Sequence, residues 1–207
     1  MLLLLVSGGH TEIVYVGKEF SYHTLGRTLD DACGEAFDKV AKIMGLPYPG
    51  GPYVEKFAER GVKGAVKLPI PRPKPFHFSY AGLKTAVLYY TKENPEYKKE
   101  DVAMAFQEAA LDHLVEIVEQ AVAHTKVKNL GIVGGVSANH RLRDKFRTFA
   151  QQRGVTLCIP DILQCTDNGV MIALAGAARF ERFGPSPLSL DAVAREPLDA
   201  ISLSARN

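Results

Sequence analysis

Residues Leu2–Val6 form an apolar run that stops at Ser7-Gly8-Gly9-His10, and the TEIVYVG stretch from Thr11 to Gly17 then alternates along its length. In that stretch Ile13 and Tyr15 fall on one face and Val14 and Val16 on the other. A third short run, Phe20–Leu25, follows the polar Gly17-Lys18-Glu19. Three short runs joined by tight turns predict an antiparallel meander at the start of the chain. A chain that begins this way must then cover a sheet.

The period changes at once. Ala32, Ala36, Phe37, Val40, Ala41 and Met44 recur at three and four residues, which predicts a helix over Asp31–Met44. Asp30 or Asp31 is a natural cap for it, and Gly45 with the Pro47–Pro52 stretch ends it. Pro69–Pro75 (PIPRPKP) predicts a stiff, extended connection. Helices are expected over Ala81–Thr91 and Asp101–Thr125, and a strand over Asn129–Val133 that runs straight into Gly134-Gly135-Val136-Ser137-Ala138-Asn139. Leu142, Phe146 and Phe149 mark a further helix, Val155–Ile159 a strand and Asn168–Arg179 a last helix. From Pro185 on, weak periodicity points to an extended or frayed tail. The order is βββα, an insertion, then αβαβα, an α/β layer architecture.

Size and charge narrow the functions. The chain has 207 residues, enough for one large domain or two small ones. Its 25 basic and 23 acidic residues leave a net charge of +2, too little to hold nucleic acid by bulk attraction, so any such contact is local. Cys33, Cys158 and Cys165 make no CxxC and fit a reducing compartment, most simply as small buried hydrophobes. Leu2–Val6 is too short for a secretory signal, and no stretch reaches the length of a membrane span. The expected location is the cytosol, with no membrane partner.

Several motifs carry candidate chemistry. Glycines at the end of a strand, as at Ser7-Gly8-Gly9-His10-Thr11, let backbone approach a ligand, and free N–H groups in such a turn make an anion-binding concavity. An ordinary hairpin turn uses the same pair. Gly134–Asn139 joins a strand to a helix whose N-terminal donors suit a phosphate or ribose, with Ser137 as a cap and Asn139 as a ligand contact. A plain capped turn accounts for it equally well, and the spacing is neither GxGxxG nor GxxxxGK[ST]. In Cys165-Thr166-Asp167-Asn168-Gly169, Asp167 or Thr166 reads as a helix cap, or Asp167 as a metal-ligating or phosphate-facing acid. Asp31, Glu35 and Asp38 share a helix face without an evident basic partner at i+4, either a solvated face or acceptors for ribose hydroxyls. Arg72 and Lys74, and Arg141, Arg143, Lys145 and Arg147, are basic clusters; the second coats the outside of a helix or meets RNA phosphates. The six histidines, His10, His23, His77, His113, His124 and His140, include no i, i+4 pair, and HExxH and GxSxG are both absent.

Taken together, LLVSGGHTE, DDACGEAFDKVAKIMGLPYPGGP, FSYAGLKTA, GGVSANHRLR and CTDNGVMIALAG resemble, in order and over nearly the whole chain, the tRNA threonylcarbamoyladenosine biosynthesis family of bacterial TsaD proteins and their archaeal and eukaryotic relatives. The resemblance implies an α/β actin-like ATPase fold of the ribonuclease H-like class. Residues 1–207 would be its single C-terminal lobe, a βββαβα core with a helical insertion at about 46–100 and nearly the whole first lobe missing. It implies that Leu5, Val6, Ser7, Gly8 and Gly9 bind nucleotide phosphates or the threonylcarbamoyl group. Asp38, Gly51, Glu55 and Asn139 would contact the nucleotide, and Asp167 would be the one metal ligand this half supplies. ATP, ADP or threonylcarbamoyl-AMP, and a divalent iron or zinc ion, are the implied small ligands. The implied reaction moves threonylcarbamoyl from its AMP anhydride to N6 of adenosine 37 in tRNAs that read ANN codons, with the pathway proteins TsaB and TsaE as partners. Without the first lobe, the chain is expected to lack most metal ligands, to be nearly inactive alone and to self-associate through exposed apolar surface. An actin-like small-molecule kinase and a non-catalytic, partner-docking lobe are the alternatives.

Overall fold

In the computed structural model, which describes residues 1–18, 21–192 and 197–198, five strands form one mixed sheet in the order β3-β2-β1-β4-β5. The strands are β1 (Leu2–Val6), β2 (Thr11–Val16), β3 (Tyr22–Arg27), β4 (Asn129–Val133) and β5 (Thr156–Cys158). The meander is present: β1 and β2 pair antiparallel with Val6 opposite Thr11, and β2 pairs antiparallel with β3 across a register shift at Ile13/Val14. On its other side β1 runs parallel to β4, with Leu5 opposite Val133, and β4 runs parallel to β5. The third strand starts two residues later than its hydrophobic run suggests, and Phe20 lies outside the described residues.

The parallel pairing of β1 with β4 has the main consequence for function. Both strands end at the same edge, and both end in two glycines.

Among the described residues six α-helices accompany the sheet: α1 (Cys33–Ile43), α2 (Gly50–Ala58), α3 (Ala81–Glu93), α4 (Lys99–Thr125), α5 (His140–Arg153) and α6 (Gly169–Phe183). Leu2, Leu4, Val6 and Ile13 from the strands form one core with Phe37 and Val40 of α1, Phe106 and Leu114 of α4 and Phe146 of α5. The rings of Phe37 and Phe106 meet edge-on with centroids 4.9 Å apart. Each such buried ring stabilises the fold by roughly 3 kcal/mol. Leu3 and Leu5, on the alternate face of β1, are only half-buried, so β1 is covered fully on one side.

Local expectations fail where a distant residue takes over a cap. Neither Asp30 nor Asp31 caps α1; Ala32 holds that position without a capping side chain. The first N–H groups of α1 go elsewhere: Cys33 donates to Thr11 Oγ1 at 2.8 Å, Gly34 to the Ser7 carbonyl at 3.1 Å, and Ala32 to the Glu35 carboxylate at 3.3 Å. Asp30 instead caps α3, taking Ser79 Oγ at 2.6 Å and the N–H of Tyr80 at 2.7 Å and of Ala81 at 3.2 Å.

Helix α2 begins inside a stretch that reads as a helix terminator. Pro52 is tolerated there because the first-turn N–H it lacks would have no intrahelical partner. The acidic face of α1 does have basic partners, since Lys39 pairs with Asp31 and with Glu35 at i, i+4, and Lys84 also reaches Asp31. Burial pushes the Asp31 carboxyl up, but the hydrogen bonds from Lys39 and Lys84 outweigh it and hold it below its ordinary value.

No residue of α6 is buried. Ile172, Leu174 and Phe180 are 68%, 67% and 61% exposed, an apolar helix without a cover among the described residues. Among the described residues no helix is long and apolar enough to cross a membrane. Residues 185–192 form no helix or strand, and the tail beyond, apart from residues 197–198, lies outside the described residues.

Candidate functional site

The strand ends bring the two glycine bends together. Gly134 adopts φ 98°, and a Cβ built on it would stand 2.9 Å from the Val6 carbonyl carbon, nearer still to its oxygen, and 3.3 Å from Ser7 Cβ. Gly34, in the first turn of α1, backs onto the same bend: its Cβ would meet the Ser7 carbonyl at 2.7 Å and Gly8 Cα at 2.9 Å. Only glycine permits either approach. Nothing stands within 4 Å of a Cβ at Gly8, Gly9 or Gly135, so the outer side of this junction is open space.

The donors at this edge are partly spent. Ser7 Oγ accepts from Gly9 N–H at 3.3 Å and from His10 N–H at 3.0 Å, closing the bend on itself. The expected free-amide concavity is therefore narrower than the sequence implies. At the second bend, Gly135–Ala138 forms a short 3-10 turn, and Asn139 rather than Ser137 caps α5, its Oδ1 accepting from Leu142 N–H at 2.8 Å. Asn139 Nδ2 donates to Gln107 Oε1 at 2.9 Å, so both ends of this buried amide are engaged. Ser137 Oγ is buried and has no hydrogen-bond partner among the described residues.

The remaining candidates serve as long-range caps. Asp38 Oδ1 accepts from Gly50 N–H at 2.7 Å, pinning the start of α2 and with it Gly51. Glu55 Oε1 accepts from His140 N–H at 2.6 Å, pinning the start of α5. A cleft of about 230 Å³ lies between Glu55, Gln107, Glu108, His140 and Arg141. That is smaller than the roughly 300–1,000 Å³ that encloses a small ligand.

Asp167 lies in the loop between β5 and α6, two residues after Cys165. It caps nothing: Asn168 caps α6, its Oδ1 accepting from Met171 N–H at 3.0 Å. Asp167 is exposed, and among the described residues no group of three or more His, Cys, Asp or Glu side chains is placed to hold a metal. One carboxylate does not make an iron or zinc centre.

The outer basic cluster also differs from expectation. Arg141 and Lys145 are ion-paired with Glu108, and Lys145 with Asp112, across the α4–α5 interface. The hydrogen bond from Arg141 leads the causes that hold the Glu108 carboxyl down at about 2. Arg143 is not on the outside at all but is 7% exposed. Sequence periodicity hid it, because position 143 directly follows the buried Leu142 and reads as a boundary of the polar face.

A family model described as TsaD, tRNA N6-adenosine threonylcarbamoyltransferase, matches residues 2–174. A relative of that name from Thermotoga neapolitana is 46% identical over 195 residues, covering 92% of this chain and 59% of the relative. Another from Burkholderia mallei is 49% identical over 199 residues, covering 91% of this chain and 57% of the relative. The chain thus spans less than two thirds of the length of these relatives. Among solved structures, full-length HypF in its phosphate- and nucleotide-bound form shares the fold, with a TM-score of 0.66 over 90% of this chain and 41% of its own, at 11% identity. The mixed sheet and its helices make an α/β fold shared with that structure. The matched residues run through both glycine bends and past Asp167, and the chain belongs to the TsaD family of tRNA N6-adenosine threonylcarbamoyltransferases.

Proposed function

We propose that this chain is the nucleotide-binding lobe of a tRNA N6-adenosine threonylcarbamoyltransferase. It would bind threonylcarbamoyl-AMP or ATP/ADP and act on adenosine 37 of tRNAs that read ANN codons. The observation that carries the reading is the close apposition of Gly134 and Val6–Ser7, which puts both diglycine bends at one open edge.

In this reading Leu5–Gly9 face the phosphates or the threonylcarbamoyl group. Asp38 and Glu55 each spend one oxygen on a cap, at Gly50 and His140, and offer the other to the nucleotide, beside Gly51. Asn139 shapes the ribose side as the cap of α5.

Adenine N6 is a weak nucleophile. Transfer forms a bond from N6 to the carbamoyl carbon and breaks the bond from that carbon to the AMP phosphate oxygen, with AMP leaving on the electron pair and one N6 proton passing to water. What this lobe contributes is position, and backbone donors for charge that develops on the carbonyl oxygen. Asp167 would give at most one ligand to a metal completed from outside the chain.

The exposed α6 and the small size of the cleft beside Glu55 support a lobe that works only against the part of its relatives that it does not span. TsaB and TsaE are the protein partners this reading carries. The relatives bear a transferase name, which favours this over a small-molecule kinase.

The test is modified nucleoside in tRNA, measured by mass spectrometry after incubation with threonylcarbamoyl-AMP. Product is expected when the chain is mixed with the uncovered segment of the Thermotoga neapolitana relative and with TsaB and TsaE. No product from that mixture, with every component folded, would contradict the reading.

A further inference from the structure

Helix α5 carries five basic side chains, and four of them meet a carboxylate: Arg141 and Lys145 at Glu108, Arg147 at Asp144, and Arg153 at Glu119. Arg143 forms no ion pair among the described residues. Its Nε donates to the Ser137 carbonyl at 2.8 Å, and its Nη2 donates to the Pro160 carbonyl at 2.6 Å and to Cys165 Sγ at 3.1 Å. A buried charge costs several kcal/mol unless its donors are satisfied. Here neutral acceptors alone satisfy it, which asks for a reason beyond stability.

The acceptors lie on two segments. Ser137 belongs to the bend after β4, while Pro160 and Cys165 bracket the 3-10 turn Ile162–Gln164 that leads to Asp167. Among the described residues the other hydrogen bonds of residues 160–168 are local: Gln164 N–H to the Asp161 carbonyl, Cys165 N–H to that of Ile162, Cys165 Sγ to those of Pro160 and Asp161, Asn168 Nδ2 to those of Gln164 and Thr166, and Met171 N–H to Asn168 Oδ1. Strand β5 pairs over only three residues, and α6 buries nothing. Among the described residues Arg143 is thus the hydrogen-bonded tie between this loop and the body of the lobe. A planar fork with donors on Nε and Nη2 can hold both segments at once; a lysine ammonium cannot.

We infer that Arg143 is a positioning residue, setting the Asp167 loop against the Gly134–Asn139 bend so that the two present one surface to the nucleotide. The inference rests on the nucleotide reading above. It makes no use of Arg143 as a group that touches ligand.

The experiment compares the wild-type chain with Arg143→Lys and Arg143→Met by hydrogen exchange and by titration with ADP. Exchange is expected to rise about tenfold or more in residues 160–168 and to stay unchanged in β1 and β2. ADP affinity is expected to fall by about tenfold at a temperature where both variants are folded. If Arg143→Met does not fold, Arg143→Lys, which keeps the charge but not the planar fork, is expected to loosen 160–168 alone. Unchanged exchange in 160–168 would overturn the tie, and faster exchange with unchanged ADP affinity would overturn the positioning role. A wild-type chain that does not bind ADP would sink the nucleotide reading instead, and exchange would still decide whether Arg143 joins the two segments.

Discussion

Gly134 lies against the carbonyl of Val6, with φ 98° and no room for a Cβ. Two strands far apart in sequence therefore end side by side in glycine. The first expected outcome follows from that contact. Gly134→Ala meets both the left-handed backbone region, worth about 1–3 kcal/mol, and backbone atoms that cannot yield. Urea unfolding should show a loss of at least about 2 kcal/mol, whereas Gly135→Ala, with open space around it, should cost less than half as much.

Asp30 gives a second outcome. Its carboxylate is the cap of α3 although it lies some 50 positions earlier in the chain. Asp30→Ala should cost about 1–3 kcal/mol, within the range of a lost cap plus a lost hydroxyl partner. Asp30→Asn keeps one acceptor and should recover roughly half, read from the same unfolding curves.

The third outcome concerns pH. His113 is fully buried between Phe78 and Tyr80, and its Nε2 accepts from Ser79 N–H at 3.2 Å. Burial pushes it down to about 4, against a smaller upward pull from Asp30. The unfolded chain holds this histidine at about 6.5. Between these values the unfolded state binds more protons, so stability is full above about pH 6.5 and is lost as pH falls towards 4. The loss is on the order of 3 kcal/mol. His113→Gln should flatten that window. Glu108, held at about 2, loses its contribution in a separate window at lower pH.

A fourth outcome concerns α6. Ile172→Glu with Leu174→Lys should abolish concentration-dependent association of the chain in sedimentation velocity without changing its melting temperature, because neither side chain is buried. A wild-type chain that stays monomeric at high concentration would contradict the expectation.

The meander, the strand running into Gly134 and most helices were legible because their periodicities are local. Helix α2 was not, since Gly50-Gly51-Pro52 carries breaker chemistry and is rescued by Asp38, twelve residues back. The caps at Asp30 and Glu55 escaped for the same reason: each acceptor and its donor meet only after folding. Arg143 looked like one charge among several, and only the path of the loop through Pro160 and Cys165 shows why it is inside. The family strings did point to the Ser7–Gly9 and Gly134–Asn139 bends, but not to the spending of their donors on Ser7 Oγ and Asn139 Oδ1.

The most direct test is a backbone amide NMR titration of the chain with ADP. Shifts are expected at Gly8, Gly9, residues 134–139 and Asp167 together, saturating with one affinity. Shifts confined to another face, or no saturable shift at all, would contradict a nucleotide wall built from the two glycine bends.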